Sequence, residues 1–305
     1  MSHGGGNKAI FAALSANLGI AVIKFVAFAV TGASSMLAEA VHSVVDTGNQ
    51  VLLLVGGRSA RRRATAEHPF GYGRDRYVYG FLVALMLFSA GGLFALYEGV
   101  HKIRNPHHLD DPIVAIIVLV LAAGLESFSL RTAISEARTL KGADNWVGFI
   151  RHAKNPELPV VLLEDVAALT GLLFALLGVG LTWATGEPVW DGIGTCAIGV
   201  LLIVVAIVLV VETKSLLVGE GASPAAVAAI ADALVGEGVD RVIHLRTMHL
   251  GPEELLVGTK LAMTPKLTLP EIARAIDAAE VRVRAAVPAA RVIYIEPDLD
   301  RGLAG

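Results

Sequence analysis

Six stretches of the chain stay apolar long enough to cross a bilayer as helices: residues 9–31, 34–57, 76–101, 112–137, 158–185 and 191–212. A hydrocarbon layer of about 30 Å takes roughly 20 helical residues. Helix is the required form, because an open strand leaves its backbone groups unpaired in lipid. The glycine-rich start runs directly into the first stretch, which is too long for a signal peptide and reads as a span. The second stretch departs from the rest, carrying Glu39, His42, Asp46, Asn49 and Gln50 among its apolar residues. After Glu212 the pattern changes. Ser223-Pro224 reads as an N-cap with proline at the first helical position, opening a helix to about Val235. Val242–Met248 and Leu255–Met263 read as strands joined across Gly251-Pro252, with Val257, Thr259, Leu261 and Met263 on one face. Thr268-Leu-Pro-Glu271 predicts a capping box for a helix reaching about Val287, and Arg291–Glu296 a last strand. The expected fold is an all-α membrane domain of six transmembrane helices over residues 1–212. A small α+β ferredoxin-like domain, αββαβ, follows over residues 213–305.

Composition agrees with a membrane protein. Of 305 residues 54% are hydrophobic and only 17% charged, which excludes an ordinary soluble domain. The net charge of −3 and the lack of an extended basic run argue against nucleic acid as a partner. The single cysteine, Cys196, excludes an internal disulfide or a CxxC metal site and reads as a packing residue. Basic residues set the orientation. Arg58, Arg61, Arg62, Arg63, Arg74 and Arg76 follow the second stretch, and Arg138, Lys141, Arg151 and Lys154 follow the fourth. The opposite loops hold only Lys102 and Arg104, so both termini are expected in the cytoplasm.

An ionisable side chain inside a span costs about 2.5–3.5 kcal/mol, so such residues face a cavity or a partner. His42 and Asp46 are four apart, on one helix face, and offer a ring nitrogen and a carboxylate oxygen to a zinc-like ion. Asn49 lies one turn beyond. The alternative is a polar stripe bonding neighbouring helices. On the fifth stretch Glu164 and Asp165 are adjacent and diverge by about 100°, so one is expected at the site and the other elsewhere or on a water path. Glu126 reads either as lining a water or proton route or, more simply, as bonded within the bundle through Ser127 or Ser129. Lys24 is a counter-charge for such a carboxylate or a snorkelling lysine. His68 opens a basic turn suited to acidic lipid or another subunit, and His107 and His108, beside Asp110 and Asp111, read as solvated loop residues, with loose metal binding the lesser alternative.

Three motifs together carry a resemblance. Ala38-Glu-Ala-Val-His42-Ser-Val-Val-Asp46-Thr-Gly-Asn49-Gln50, His68-Pro-Phe-Gly-Tyr72-Gly-Arg74 and Leu163-Glu164-Asp165-Val-Ala-Ala168 resemble the cation diffusion facilitator family, over nearly the whole chain. The pattern is most similar to the branch that includes the animal mitochondrial zinc transporter. The resemblance implies a homodimeric, proton-coupled antiporter exporting a divalent metal from the cytoplasm by alternating access. It implies no cofactor, the metal and protons being the cargo. The metal ligands it implies are His42, Asp46 and Asp165. Where the family has a fourth ligand, four residues before Asp165, this chain has Val161, leaving Glu164, Asn49 or water to complete the set. Tyr72 stands in place of a second loop histidine, and Ile243, Lys260 and Tyr294 fall where metal-binding relatives have histidines, leaving Glu296. A tail that dimerises without binding zinc is therefore expected.

One histidine with carboxylates suits zinc, while the missing ligand leaves manganese, cobalt, iron and nickel open. The expected location is the bacterial inner membrane. Two rivals stand beside a transporter: an intramembrane metal-dependent hydrolase, for which no HExxH is present, and a sensor or scaffold acting through the tail.

Overall fold

A computed structural model of the chain describes residues 3–141 and 145–299; the extreme termini, and with them their expected side of the membrane, lie outside the described residues. Helices α1 (His3–Thr31) and α2 (Ser34–Ser59) form a hairpin turning at Gly32, whose φ of +63° falls in the left-handed region that glycine adopts without strain. The third apolar stretch is one helical run, Asp75–Arg104, built from α3 (Asp75–Met86), a π-helical segment (Leu87–Leu93) and α4 (Phe94–Arg104). Then come α5 (Pro112–Lys141), a short α6 (Trp146–His152), α7 (Glu157–Thr185) and α8 (Val189–Val218). Among the described residues, the runs Asp75–Arg104, Pro112–Thr139, Glu157–Thr185 and Val189–Val218 are long and apolar enough to cross a membrane. Helix α1 is apolar over Asn17–Thr31, and α2 has the length, 26 residues, but carries the polar residues noted above. Helix α6 was not foreseen; its cap is the Asn145 side chain, which accepts from the Gly148 N–H at 2.6 Å.

The chain divides into two compact units, one of residues 1–58 and 78–213, the other of residues 59–77 and 214–305. In the first, the π segment and α4 meet α8 through glycines. A Cβ on Gly99 would lie 2.6 Å from Cys196 Sγ and 2.7 Å from Cys196 N, and one on Gly199 2.7 Å from Leu96 N. Small residues let helix backbones approach in a bilayer, where packing rather than water exclusion drives association. Cys196 is thus a packing residue against Gly99. Gly99→Ala is expected to lower stability by about 1–3 kcal/mol, the usual cost of overpacking. Gly124, with open space where its Cβ would stand, should tolerate alanine or gain slightly. Thermal unfolding of the two variants in detergent compares them directly.

One end of α2 is capped by other helices. Asp191 of α8 accepts from the backbone N–H groups of Ser34 at 2.7 Å and Ser35 at 3.2 Å, and from the Ser35 hydroxyl. The Ser34 hydroxyl donates to Glu98 at 2.8 Å, and Lys102 donates to the Gly32 carbonyl at 3.1 Å. A carboxylate thus meets the orphan donors that begin α2, and an ammonium meets a carbonyl at the end of α1.

The second unit contains α9 (Pro224–Leu234), β1 (Val239–Gly251), β2 (Glu254–Met263), α10 (Leu269–Ala286) and β3 (Val292–Asp298), in the order α-β-β-α-β. Its sheet runs β1-β2-β3, antiparallel between the first two and parallel between the last two. Val257, Leu261 and Met263 form its core with Ile230, Leu234, Ala279 and Val283. Thr268 and Glu271 make the capping box, and the Thr268 N–H and hydroxyl hold the Glu271 carboxyl below its ordinary range.

Candidate functional site

A cavity of about 400 Å³ lies among α1, α2, α5 and α7. Helix α2 presents Ser43, Asp46 and Gln50 to it, α5 presents Glu126 and Ser129, and α7 presents Val161, Glu164 and Asp165. A second cavity of about 350 Å³ shares Ser129, Val161 and Asp165, and continues past Glu136 toward the start of α7 at Glu157. The acidic chamber therefore extends toward the end of α5 and the start of α7, the ends nearest Arg138, Lys141, Arg151 and Lys154 in the chain.

The two acids that α7 presents have separate supports. Asn49 Nδ2 donates to Glu164 Oε1 at 2.6 Å, and Ser129 Oγ donates to Asp165 Oδ2 at 3.1 Å. Glu164 thereby reaches toward α2 and Asp165 toward α5, two helices that flank one cavity. The divergence of adjacent helix positions does not separate them, because the chamber is wide enough to be bordered by both. Ser129 bonds Asp165 rather than Glu126, and Ser127 donates to its own helix at Ala123, so neither serine holds Glu126 as the sequence suggested. Glu126 borders the chamber.

His42 is buried and does not border the chamber. Its Nδ1 lies 3.5 Å from Asp46 Oδ1, beyond ordinary hydrogen-bond length. Both ring nitrogens of His42, Asp46 Oδ1 and Asn49 Oδ1 have no hydrogen-bond partner among the described residues. A buried polar atom left unpaired costs about 1–3 kcal/mol, so a cluster of them calls for an explanation. Among the described residues no three His, Cys, Asp or Glu side chains stand close enough to hold one metal ion. The expected three-ligand set is therefore not assembled in this conformation. His42 and Asp46 are near one another, while Asp165 of α7 is bonded to Ser129 of α5.

Sequence reasoning missed a second buried system. Lys24, 1% exposed, donates to Glu39 Oε2 at 3.0 Å and to the Ser43 hydroxyl at 2.8 Å, and Glu39 is fully buried. Lys24 is thus a counter-charge, and its partner is Glu39. Gly171 of α7 lies over the same acid, where a Cβ would be 2.7 Å from Glu39 Oε1. The signal was present in the chain. Lys24 precedes Gly32 by 8 residues and Glu39 follows it by 7, so a hairpin at Gly32 brings them to nearly equal depth.

In the tail, Lys260 Nζ lies 2.9 Å from Glu296 and 3.1 Å from Asp298, which raise its pKa. An ammonium occupies the place where the resemblance would set a metal-binding histidine, and it engages the neighbouring carboxylates itself.

The bundle buries acids and an imidazole among helices long and apolar enough to cross a membrane. The model of the cation efflux transmembrane domain matches residues 10–218, and the chain belongs to that family. It is 30% identical over 242 residues to the mouse protein named proton-coupled zinc antiporter SLC30A9, mitochondrial, covering 79% of this chain and 43% of that one. It is 30% identical over 214 residues to Metal tolerance protein C4 of Arabidopsis thaliana, covering 70% and 47%. Against the cation-efflux pump FieF of Escherichia coli identity is 26% over 288 residues, covering 93% and 90%. The chain therefore spans less than half the length of the first two relatives and most of the third.

Proposed function

We propose that the chain is a proton-coupled secondary transporter that exports a divalent metal cation, Zn2+ in the first instance, from the cytoplasm by alternating access. In this reading α1 and α2 join the four apolar runs as a six-span domain over residues 1–212. Residues 213–305 form a cytoplasmic domain that pairs two copies into a homodimer, with both termini in the cytoplasm of a bacterial cell. His42, Asp46 and Asp165 are the cargo ligands. Glu164, held by Asn49, is a further carboxylate within the same chamber, and water or Glu164 takes the position that Val161 leaves without a donor.

The observation that carries the reading is that the His42 ring nitrogens and Asp46 Oδ1 have no hydrogen-bond partner among the described residues, beside a chamber whose other walls hold Glu126, Glu164 and Asp165. Cargo binding requires His42 neutral and the carboxylates ionised, so metal and protons compete for one set of atoms. Because the three ligands do not converge in this conformation, binding also draws α7 and α2 together, and that closure is the switch between the two access states. Zinc is favoured by a mixed nitrogen and oxygen donor set; manganese, cobalt, iron and nickel are the alternatives. The test is flux of zinc, manganese and cobalt into proteoliposomes with and without an imposed proton gradient. Zinc flux that rises with the gradient is expected, and flux indifferent to it contradicts the coupling.

A further inference from the structure

The loop joining α2 to α3 belongs to the same compact unit as the tail. Their contact is backbone against backbone. A Cβ on Gly73 would lie 2.8 Å from the Leu250 carbonyl oxygen, and one on Gly251 3.0 Å from Gly73 Cα. Any side chain at either position would separate the loop from the β1–β2 turn.

Beside this contact is a cleft of about 310 Å³, walled by Arg61 and Arg62 from the loop, by Arg76 at the start of α3 and by Glu253, Glu254 and Arg291 from the tail. Four guanidinium groups against two carboxylates leave a net charge of +2 on the walls. Glu254 is engaged by Arg291, whose Nη1 lies 3.4 Å from it. Arg62 is held in place by stacking, its guanidinium carbon 4.2 Å from the centre of the Tyr72 ring, which itself stacks on His68 at 4.6 Å. A planar guanidinium fixed in this way presents its donors in the fork geometry that matches phosphate oxygens. Arg61 and Arg62 come two and three residues after Ser59, the end of α2, and Arg76 stands in the first turn of a run long and apolar enough to cross a membrane. Chain continuity alone holds these arginines at the level of lipid headgroups.

We propose that the cleft binds the headgroup of an anionic phospholipid, the phosphodiester resting on the loop arginines with Arg291 closing the tail side. This goes beyond the cargo reading and does not depend on it. The shared chemistry is a phosphate anion, and the position of the arginines selects lipid over a soluble phosphate. Basic residues next to a span each strengthen anionic-lipid binding roughly fivefold. Arg58 and Arg63 on the same segment add to the local field. With lipid bound, the α2–α3 loop and the tail sheet are tied together through one shared anion.

The test is native mass spectrometry of the full-length protein titrated with phosphatidylglycerol, phosphatidylcholine or inorganic phosphate. Phosphatidylglycerol is expected to bind at least tenfold more tightly than either of the others, and to lose at least tenfold when ionic strength is raised. The triple variant R61Q/R62Q/R76Q should lose at least tenfold, while Arg274→Gln, on the exposed face of α10, should leave affinity unchanged. Equal binding of phosphatidylcholine, insensitivity to salt, or full affinity in the triple variant overturns the proposal. Phosphate binding as tightly as phosphatidylglycerol overturns the choice of lipid. The salt and headgroup arms use the wild-type protein, so the outcome does not depend on the variants folding.

Discussion

Asp46→Asn and His42→Ala are each expected to reduce zinc uptake into proteoliposomes by about 100-fold or more. Loss of groups that merely orient a metal ligand typically costs 10–100-fold, and removal of a donor itself costs at least as much. The His42 ring nitrogens and Asp46 Oδ1 are buried without hydrogen-bond partners among the described residues, so neither substitution strips a hydrogen bond from these atoms. Asp46→Asn preserves shape and removes charge, and His42→Ala removes the only nitrogen proposed for the cargo. Size-exclusion profiles and helical content should match wild type in both. Glu164→Gln should have a smaller effect, because Asn49 can turn its amide to suit a neutral partner. Wild-type uptake in both Asp46→Asn and His42→Ala would refute the assignment.

Lys24→Met is expected to destabilise the protein by about 3–5 kcal/mol, the cost of leaving one partner of a buried ion pair uncompensated. Glu39 is fully buried, and its Oε1 already lacks a hydrogen-bond partner among the described residues. With the ammonium gone, the carboxylate keeps only desolvation and no compensating charge among its bonded neighbours. The double variant Lys24→Met, Glu39→Gln should recover most of the loss, since replacing both members of such a pair is often close to neutral. Thermal unfolding in detergent across the two single variants and the double variant gives the coupling directly. Additive losses would mean that the two side chains do not act as a pair.

The elements were legible because their signals are long and redundant. Five of the six apolar stretches ended within four residues of an observed helix end and the sixth six residues short of Val218, and the tail's capping box and proline N-terminus appeared where Thr268 and Ser223 predicted them. The π segment at Leu87–Leu93 was not legible, since the apolar pattern runs through it without a break. At the site, the four-residue spacing of His42 and Asp46 was enough to set them together. The chamber itself was not legible. Its width allows Glu164 and Asp165 to border one space while bonding to different helices, which a rule about angles on a single helix does not capture. Asp191 escaped notice for a related reason: its role is to cap α2 from another helix, and nothing near it in sequence marks that partner.

The central claim is that one imidazole and acidic oxygens of α2 and α7 grip the same cation. Zinc K-edge X-ray absorption of the zinc-loaded full-length protein tests it most directly. The account predicts nitrogen and oxygen donors at about 2.0–2.2 Å, a single imidazole contribution, and loss of that contribution in His42→Ala. A shell containing sulfur, or imidazole scattering that survives His42→Ala, would contradict it.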